Sequence, residues 1–136
     1  MNIPFSPPDI SQAEIDSVVE TLKSGWITTG SKTKEFEKRI SEYIGTTKTA
    51  CLSSATAAME MTLRLIDIGP GDEVIVPAYT YTASCSVICH VGATPVMVDI
   101  QEGVPEMNYD LLEKAVTKKT RTYYSNSGLF TWIWCC

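Results

Sequence analysis

The sequence predicts an α/β fold in which a parallel β-sheet is flanked by helices. Three short apolar runs, at residues 49–53, 73–77 and 94–100, are separated by segments in which apolar residues recur at helical spacing. The runs are continuously apolar rather than alternating, which is typical of parallel strands covered on both faces. A length of 136 residues, with 44% hydrophobic and 20% charged residues, fits an ordinary globular protein.

The first third of the chain predicts an extended arm and two helices. Residues 2–9 hold three prolines, which favour extended backbone. Ser11 and Glu14 form a capping box for a first helix, which Gly25 ends. The apolar residues of this helix recur at helical spacing: Ile15, Val18, Val19 and Leu22. After a loop that carries an aromatic residue, a second amphipathic helix runs to Gly45.

The middle of the chain alternates between predicted strands and helices. Residues 49–53 are interpreted as a buried strand, and the helix that opens at 54–56 is expected to be buried nearly all round. A second strand at 73–77, a helix at 82–91 and a third strand at 94–100 follow. This alternation is the basis for the predicted parallel sheet.

The end of the chain breaks this rhythm. A last helix is predicted over 108–119, with lysines in its last turn where the helix dipole favours cations. Residues 121–127 stand where a fourth buried strand is expected, but they are polar and aromatic. Residues 132–136 are apolar and uncharged, which makes this end of the chain an association hazard.

Composition and charge exclude several function classes. The 11 basic and 16 acidic residues leave a net charge of −5, which argues against a surface built for nucleic acid or anionic lipid. No apolar run reaches the roughly 18 residues of a membrane span, and no signal peptide precedes the first helix. We therefore expect a cytoplasmic protein with no nucleic-acid partner and no membrane partner.

The cysteines and the single histidine do not predict a metal site. Cys85 and Cys89 are four residues apart and His90 follows, but no carboxylate stands nearby in the sequence. We therefore expect the cysteines to be buried as small apolar residues, and His90 to be structural. The glycine motifs of dinucleotide and nucleoside-triphosphate sites do not occur.

Two predicted strand ends carry groups that can bind a ligand. Residues 53–57 open a helix, where amides, hydroxyls and the helix dipole favour a phosphate, although an ordinary serine or threonine cap is the simpler explanation. Tyr79 and Tyr81 follow the second strand, and either stack on a planar ring or pack between loop and helix. Trp26 is interpreted as a substrate contact or as an anchor for its loop. Asp99, at the end of the third strand, is either a catalytic group or a turn or cap carboxylate. On the local chemistry alone the structural alternative is favoured at each place.

Four segments in order make the sequence similar to a known family. They are SGWITTG at 24–30, LSSATAA at 52–58, IGPGDEVIVP at 68–77 and VGATPVMVD at 91–99. Up to residue 120 the chain resembles the N-terminal portion of the DegT/StrS-type sugar aminotransferases, which are pyridoxal-phosphate (PLP) enzymes of fold type I. The resemblance implies a partial large domain of that fold, a parallel sheet with flanking helices that is incomplete. It also implies that the second and third strands are neighbours, with the first toward the other edge.

The resemblance implies a cofactor, a reaction and a set of site residues. PLP would carry an amino group from an amino acid, typically glutamate, to a keto-sugar that is commonly nucleotide-linked. Thr56 and Ala57 would bind the cofactor phosphate, largely through backbone amides. Ser54 and Ala55 would shape the same loop, and Tyr81 would stack on the pyridine ring.

The resemblance also points to the substrate side and to an assembly. Trp26 and Thr28 belong to the first of the four segments and are substrate-side candidates. Family members are typically homodimers with shared active sites, so a homodimer is implied for the full-length form. Ser31 follows Gly30 where the family usually has proline, which makes this loop less restrained.

The departures from the family concern chemistry and the sheet. No lysine of this chain matches the family's Schiff-base lysine, and no acid matches the one that pairs with the pyridinium nitrogen. We therefore assign no catalytic residue and expect no transaminase turnover by this polypeptide alone. The middle strands of the family's sheet have no counterpart either, so we expect a marginal or aggregating product.

We accordingly divide the chain into an arm with helices at 1–47, the first part of the PLP-binding large domain at 48–120 and an anomalous tail at 121–136. Our hypothesis for the tail is a reading-frame shift near Arg121. Two alternatives to a truncated aminotransferase stay open. One is a non-catalytic regulatory or dimerising fragment, and the other is a fragment of a PLP- or PMP-dependent sugar dehydratase relative.

Overall fold

A computed structural model describes residues 7–127 and 130–135, with side chains up to residue 125. The chain forms two compact units, Met1–Cys51 and Leu52–Cys136. Most of the predicted N-terminal arm, residues 2–6, lies outside the described residues. Among the helices of the described part, none has the length and apolar character that a bilayer crossing requires.

The first unit contains the two predicted helices, and both are confirmed. Helix α1, Gln12–Lys23, starts at the predicted capping box: the Ser11 amide donates to Glu14 Oε2 at 2.6 Å. Helix α2, Ser31–Ile44, ends at Gly45, whose φ of 78° is left-handed and therefore suits glycine.

The apolar faces of α1 and α2 are open. No residue of either helix is buried, and the apolar positions of α1 are all exposed: Ile15, Val18, Val19 and Leu22. An ion pair joins the two helices, with Lys32 Nζ 2.9 Å from Glu20 Oε2. From residue 7 onward, the first unit is therefore held by caps and polar contacts, and its two helices bury no residue.

The second unit is a four-stranded mixed sheet with helices. Its elements in chain order are α3 (Ala55–Leu65), β1 (Glu73–Pro77), α4 (Thr82–His90), β2 (Thr94–Val98), α5 (Tyr109–Ala115), β3 (Thr120–Ser127) and β4 (Phe130–Cys135). The strand order is β2-β1-β3-β4. Strand β1 pairs in parallel with both β2 and β3, whereas β4 is antiparallel to β3. The α/β class and the neighbouring second and third strands are confirmed.

Apolar residues cover both faces of this sheet, because β1 is central and turns alternate side chains to opposite sides. On one face Val74 and Val76 pack in a cluster with Leu63 of α3 and Val87 of α4. On the other face Ile75 packs in a second cluster, which includes these residues: Val98, Met107, Leu112 and Ala115. The core thus has two parts. One lies between the sheet and helices α3 and α4, and the other lies between the opposite face of the sheet and α5.

Two expectations from the sequence are wrong. Residues 49–53 form no strand, because no strand among the described residues runs beside them and their polar groups bond elsewhere. The Cys51 amide donates to Glu37 Oε1 at 2.8 Å, which ties this segment to α2. Helix α3 is also not buried all round: Leu63 is buried, but Met61 and Leu65 are exposed.

The end of the chain also differs from expectation. The polar and aromatic segment that breaks the sequence pattern forms β3, and its Thr122 and Tyr124 are fully buried. Tyr123 packs against the cluster on the opposite face, so aromatic rings fill both sides of this strand. Helix α5 is shorter than predicted because Val116 is already extended, with ψ of 127°.

Candidate functional site

The N-termini of α3 and α4 lie at the carboxyl end of the parallel strands. Strands β1 and β2 are parallel and are joined by α4. Helix α4 is therefore antiparallel to both strands and begins where β1 ends. Helix α3 leads into the start of β1 through a short turn, so it too begins toward the carboxyl end of β1. This is the edge at which open α/β sheets bind ligands.

The start of α3 has donors that the protein leaves available. Ser54 is the N-cap, and its hydroxyl accepts from the Ala57 amide at 3.1 Å. The Ala58 amide donates to the Ser54 carbonyl at 3.1 Å. The amides of Ala55 and Thr56 have no acceptor among the described residues. Two free amides at the positive end of a helix dipole suit a phosphate group.

One of the two predicted phosphate donors already has an acceptor within the protein, and the assignment of both stays a prediction. The resemblance points to Thr56 and Ala57 as the phosphate ligands, but the amide of Ala57 is engaged by the Ser54 side chain. The free amides are those of Ala55 and Thr56, and Thr56 is half-buried beside them. The structure shows the serine cap predicted for residues 53–57, and the phosphate site at the same helix end stays a prediction.

Tyr81 stands at the start of α4. It is the N-cap residue but makes no side-chain cap bond, and 81% of its surface is exposed. The hydroxyls behind it pair with each other instead, with Thr80 Oγ1 3.0 Å from Ser84 Oγ. Its ring therefore offers an open face at the same edge of the sheet. Tyr79 is exposed as well.

Trp26 and Thr28 belong to the first unit. The indole N–H of Trp26 donates to the Thr29 carbonyl at 3.0 Å, so the ring anchors its own loop. A Cβ at Gly30 would collide with the indole ring of Trp26, which explains the glycine at that position. Trp26 and Thr28 line a cavity of about 310 Å³ together with Lys32. Their role toward a substrate stays a prediction.

The structure reveals an ionic cluster that the sequence analysis missed. His90 Nδ1 lies 3.0 Å from Glu60 Oε2, and Arg64 donates to Glu60 Oε1 at 2.7 Å. The hydrogen bond from Arg64, and then that from His90, hold the pKa of Glu60 below its usual value. His90 has no carboxylate near it in the sequence, because its partner lies 30 positions earlier on α3.

The remaining candidates from the sequence are Asp99 and the cysteines. Asp99 Oδ1 accepts from the Ile100 amide at 2.8 Å, as expected of a turn carboxylate. The expectation that the cysteines are buried is wrong: Cys51 and Cys85 are half-buried and Cys89 is exposed. The pKa of the Cys85 thiol is raised, first by burial and then by the neighbouring Cys89. Cys135 and Cys136 have no described side chains.

Comparison with known proteins identifies the family to which the chain is similar. Residues 8–124 match the model of the DegT/DnrJ/EryC1/StrS aminotransferase family. The spore coat polysaccharide biosynthesis protein SpsC of Bacillus subtilis is 41% identical over 119 residues, which cover 88% of this chain and 31% of SpsC.

Solved structures agree with this match. A protein described as sugar aminotransferase Spr1654 of Streptococcus pneumoniae, in its PMP form, is 69% identical with a TM-score of 0.86, over 91% of this chain and 31% of its own. An aminotransferase from Psychrobacter cryohalolentis is 34% identical with a TM-score of 0.82, over 90% of this chain and 32% of its own. The chain thus spans about a third of the length of these relatives. It belongs to the DegT/DnrJ/EryC1/StrS aminotransferase family.

Proposed function

We propose that this chain provides the phosphate-binding and ring-facing parts of a PLP-dependent aminotransferase that transfers an amino group from glutamate to a nucleotide-linked keto-sugar. The observation that carries the proposal is the start of α3, where the Ala55 and Thr56 amides are free at the carboxyl edge of the sheet. Family membership supports the reaction class, and a relative 69–70% identical to this chain has been solved in PMP and PLP forms.

The residues at this edge fit the cofactor. A phosphate would accept from the amides of Ala55 and Thr56, and Thr56 carries a hydroxyl as one further donor. Ser54 keeps the helix end in place by bonding to Ala57. Tyr81 would lie on the planar ring, because its own ring is exposed at the start of the neighbouring helix.

In this proposal the chain binds and orients the cofactor, but it does not complete the reaction alone. When bound, PLP supplies an electron sink for amino transfer. No lysine of this chain matches the one that holds the cofactor covalently in the family, and no acid matches the one beside the ring nitrogen. We therefore propose that a polypeptide of this sequence, assayed by itself, has no transaminase turnover. The homodimer and the cytoplasmic location are carried over from the family in the same way.

A binding experiment tests the phosphate site. Pyridoxamine 5′-phosphate is the probe, since it has no aldehyde and cannot react with surface lysines, and pyridoxamine is the matched ligand without phosphate. Calorimetric titration is expected to show at least about tenfold tighter binding of the phosphate form. Thr56→Asp should abolish that preference, because it places an anion at the helix end. Equal affinity for the two ligands would contradict the proposal.

The proposed contact between Tyr81 and the cofactor ring is tested with a pair of variants. Tyr81→Ala is expected to weaken binding of both ligands, while Tyr79→Ala removes an exposed aromatic residue next to it and should have a smaller effect. Turnover is measured separately with PLP, glutamate and a panel of keto-sugar nucleotides. Reproducible turnover by the wild-type polypeptide would show that the proposed inactivity is wrong.

A further inference from the structure

Two cysteines of α4 lie about one helical turn apart. Cys85 and Cys89 are four positions apart within the helix, so their side chains share one side of it. The structure adds what their spacing in the sequence does not show, namely that the two thiols are hydrogen-bonded to each other. Cys85 is half-buried and Cys89 is exposed, so the pair is not enclosed in the apolar core. Two sulfur atoms are therefore in contact outside that core.

A disulfide does not fit this pair. Side chains four positions apart on a helix have Cβ atoms about 5–6 Å apart, whereas a disulfide requires about 3.5–4.5 Å. Closing the bond would distort the helix between the cysteines, where Val87 and Ile88 are fully buried. A bound ion fits the spacing better, because two metal–sulfur bonds of about 2.3 Å hold the sulfurs up to about 4.6 Å apart.

The number of available ligands selects the kind of ion. In the part of the chain that the structure describes, no three histidine, cysteine or acidic side chains come together in a way that could hold a metal. Zinc sites use three or four protein ligands and iron–sulfur clusters use four, so two thiols suffice for neither. His90 follows Cys89, but its Nδ1 lies 3.0 Å from Glu60 Oε2 and is already engaged. Monovalent copper is soft, prefers thiolate sulfur and is satisfied by two such ligands in a line.

We propose that Cys85 and Cys89 bind one Cu(I) ion between their sulfur atoms. Two S–H bonds are replaced by two S–Cu bonds, and both protons go to the solvent. Neither copper nor sulfur changes its oxidation state, so the step needs no oxidant or reductant. The inference does not depend on the proposed function.

The state of the thiols fits this proton balance. Burial first, and the neighbouring Cys89 second, raise the pKa of the Cys85 thiol. Cys85 therefore holds its proton at neutral pH and loses it only when the ion binds. Release of protons is for this reason a direct measure of how many thiols the ion engages.

Titration with Cu(I) tests the proposal. The starting chain carries serine in place of its three other cysteines, Cys51, Cys135 and Cys136, so that only the proposed pair remains. Competition with the colorimetric chelator bicinchoninate under nitrogen is expected to show one ion per chain, with two protons released per ion. Cys85→Ser and Cys89→Ser should each weaken binding at least about tenfold, because a hydroxyl oxygen is a poor ligand for a soft ion. Circular dichroism of both variants is expected to match the starting chain, since serine is close to cysteine in size.

Two controls separate this site from other kinds of metal binding. His90→Asn changes the neighbouring residue that is not a proposed ligand and should leave the affinity for Cu(I) within about twofold. Zn²⁺ in about tenfold excess should not displace Cu(I), because two thiols provide only part of the ligands that zinc requires.

Several results would overturn the proposal. These are a failure to bind Cu(I), one ion shared by two chains, or single-cysteine variants that bind as tightly as the pair. Release of one proton per ion would mean that only one thiol is engaged. A loss of affinity in His90→Asn would show a third ligand, and displacement by Zn²⁺ would show a site of another kind.

Discussion

The hydroxyl of Ser54 accepts a hydrogen bond from the Ala57 amide at 3.1 Å, and this single contact both starts α3 and defines the candidate phosphate site. By engaging the third amide of the helix, Ser54 leaves the first two, those of Ala55 and Thr56, available to a ligand. Helix stability and ligand binding therefore depend on the same helix end.

Removing the cap should destabilise the chain. We expect Ser54→Ala to lower the free energy of unfolding by about 1 kcal/mol, since the Ala57 amide then loses its acceptor. Urea-induced unfolding followed by circular dichroism measures the change. Ser53→Ala is the matched control and should be close to neutral, because the Ser53 side chain has no hydrogen bond to any residue that the structure describes. Equal losses in the two variants would contradict the assigned cap.

Tyr124 carries a buried hydroxyl whose oxygen has no hydrogen-bond partner among the described residues. Tyr124→Phe keeps the ring and removes the unsatisfied group, so we expect the chain to gain about 1 kcal/mol of stability. Tyr109→Phe should do the opposite, because the Tyr109 hydroxyl lies 2.8 Å from Ser125 Oγ. Thermal unfolding midpoints of both variants test the contrast. A loss of stability in Tyr124→Phe would show that its hydroxyl is satisfied.

The same residue predicts an alkaline effect. Burial raises the pKa of Tyr124 well above its ordinary value of 10.0. The folded chain then keeps the proton that the unfolded chain releases, so the free energy of unfolding should fall as the pH rises above 10.0. Tyr124→Phe should show a shallower fall in urea titrations at alkaline pH. Identical slopes in the wild type and the variant would argue against burial of this hydroxyl.

Two leucines of α3 lie on different sides of the helix, one in the core and one at the surface. Leu63 is fully buried between the sheet and α4, whereas Leu65 is 75% exposed. We expect Leu63→Ala to cost about 2–5 kcal/mol through lost burial and the cavity left behind. Leu65→Ala, two positions away on the same helix, should change stability by less than about 0.5 kcal/mol. Chemical unfolding of the pair measures the difference, and comparable losses would contradict the assigned core face.

The contact between His90 and Glu60 predicts an acid effect. Arg64 first and His90 second lower the pKa of Glu60 from its ordinary value of 4.5. Its contribution to stability is therefore present above pH 4.5 and is lost as the pH falls through the lowered pKa. Glu60→Gln should make the acid side of the stability profile flatter, while Glu102→Gln on a loop serves as the control. Equal profiles would mean that the cluster contributes nothing.

The elements predicted correctly are those whose signals are local. The capping box at Ser11 and Glu14, the left-handed Gly45 and the apolar run of β1 each depend on residues within one turn or one strand. The errors concern long-range pairing. Residues 49–53 have an apolar composition but no strand beside them, whereas β3 is polar and still pairs with β1, which is already in place as its partner.

The same distinction between local and long-range signals applies to the candidate site. The amino-acid sequence is sufficient to indicate the family, the α/β class and the residues at the start of α3 and α4, because these follow from motifs and helix caps read along the chain. Only the folded chain decides that Ser54 occupies the Ala57 amide and that Glu60 meets His90. It also decides that β1 lies between β2 and β3. Hydrogen-bond partners and strand neighbours depend on which segments the chain brings together, and segments distant in sequence carry no local signal of that contact.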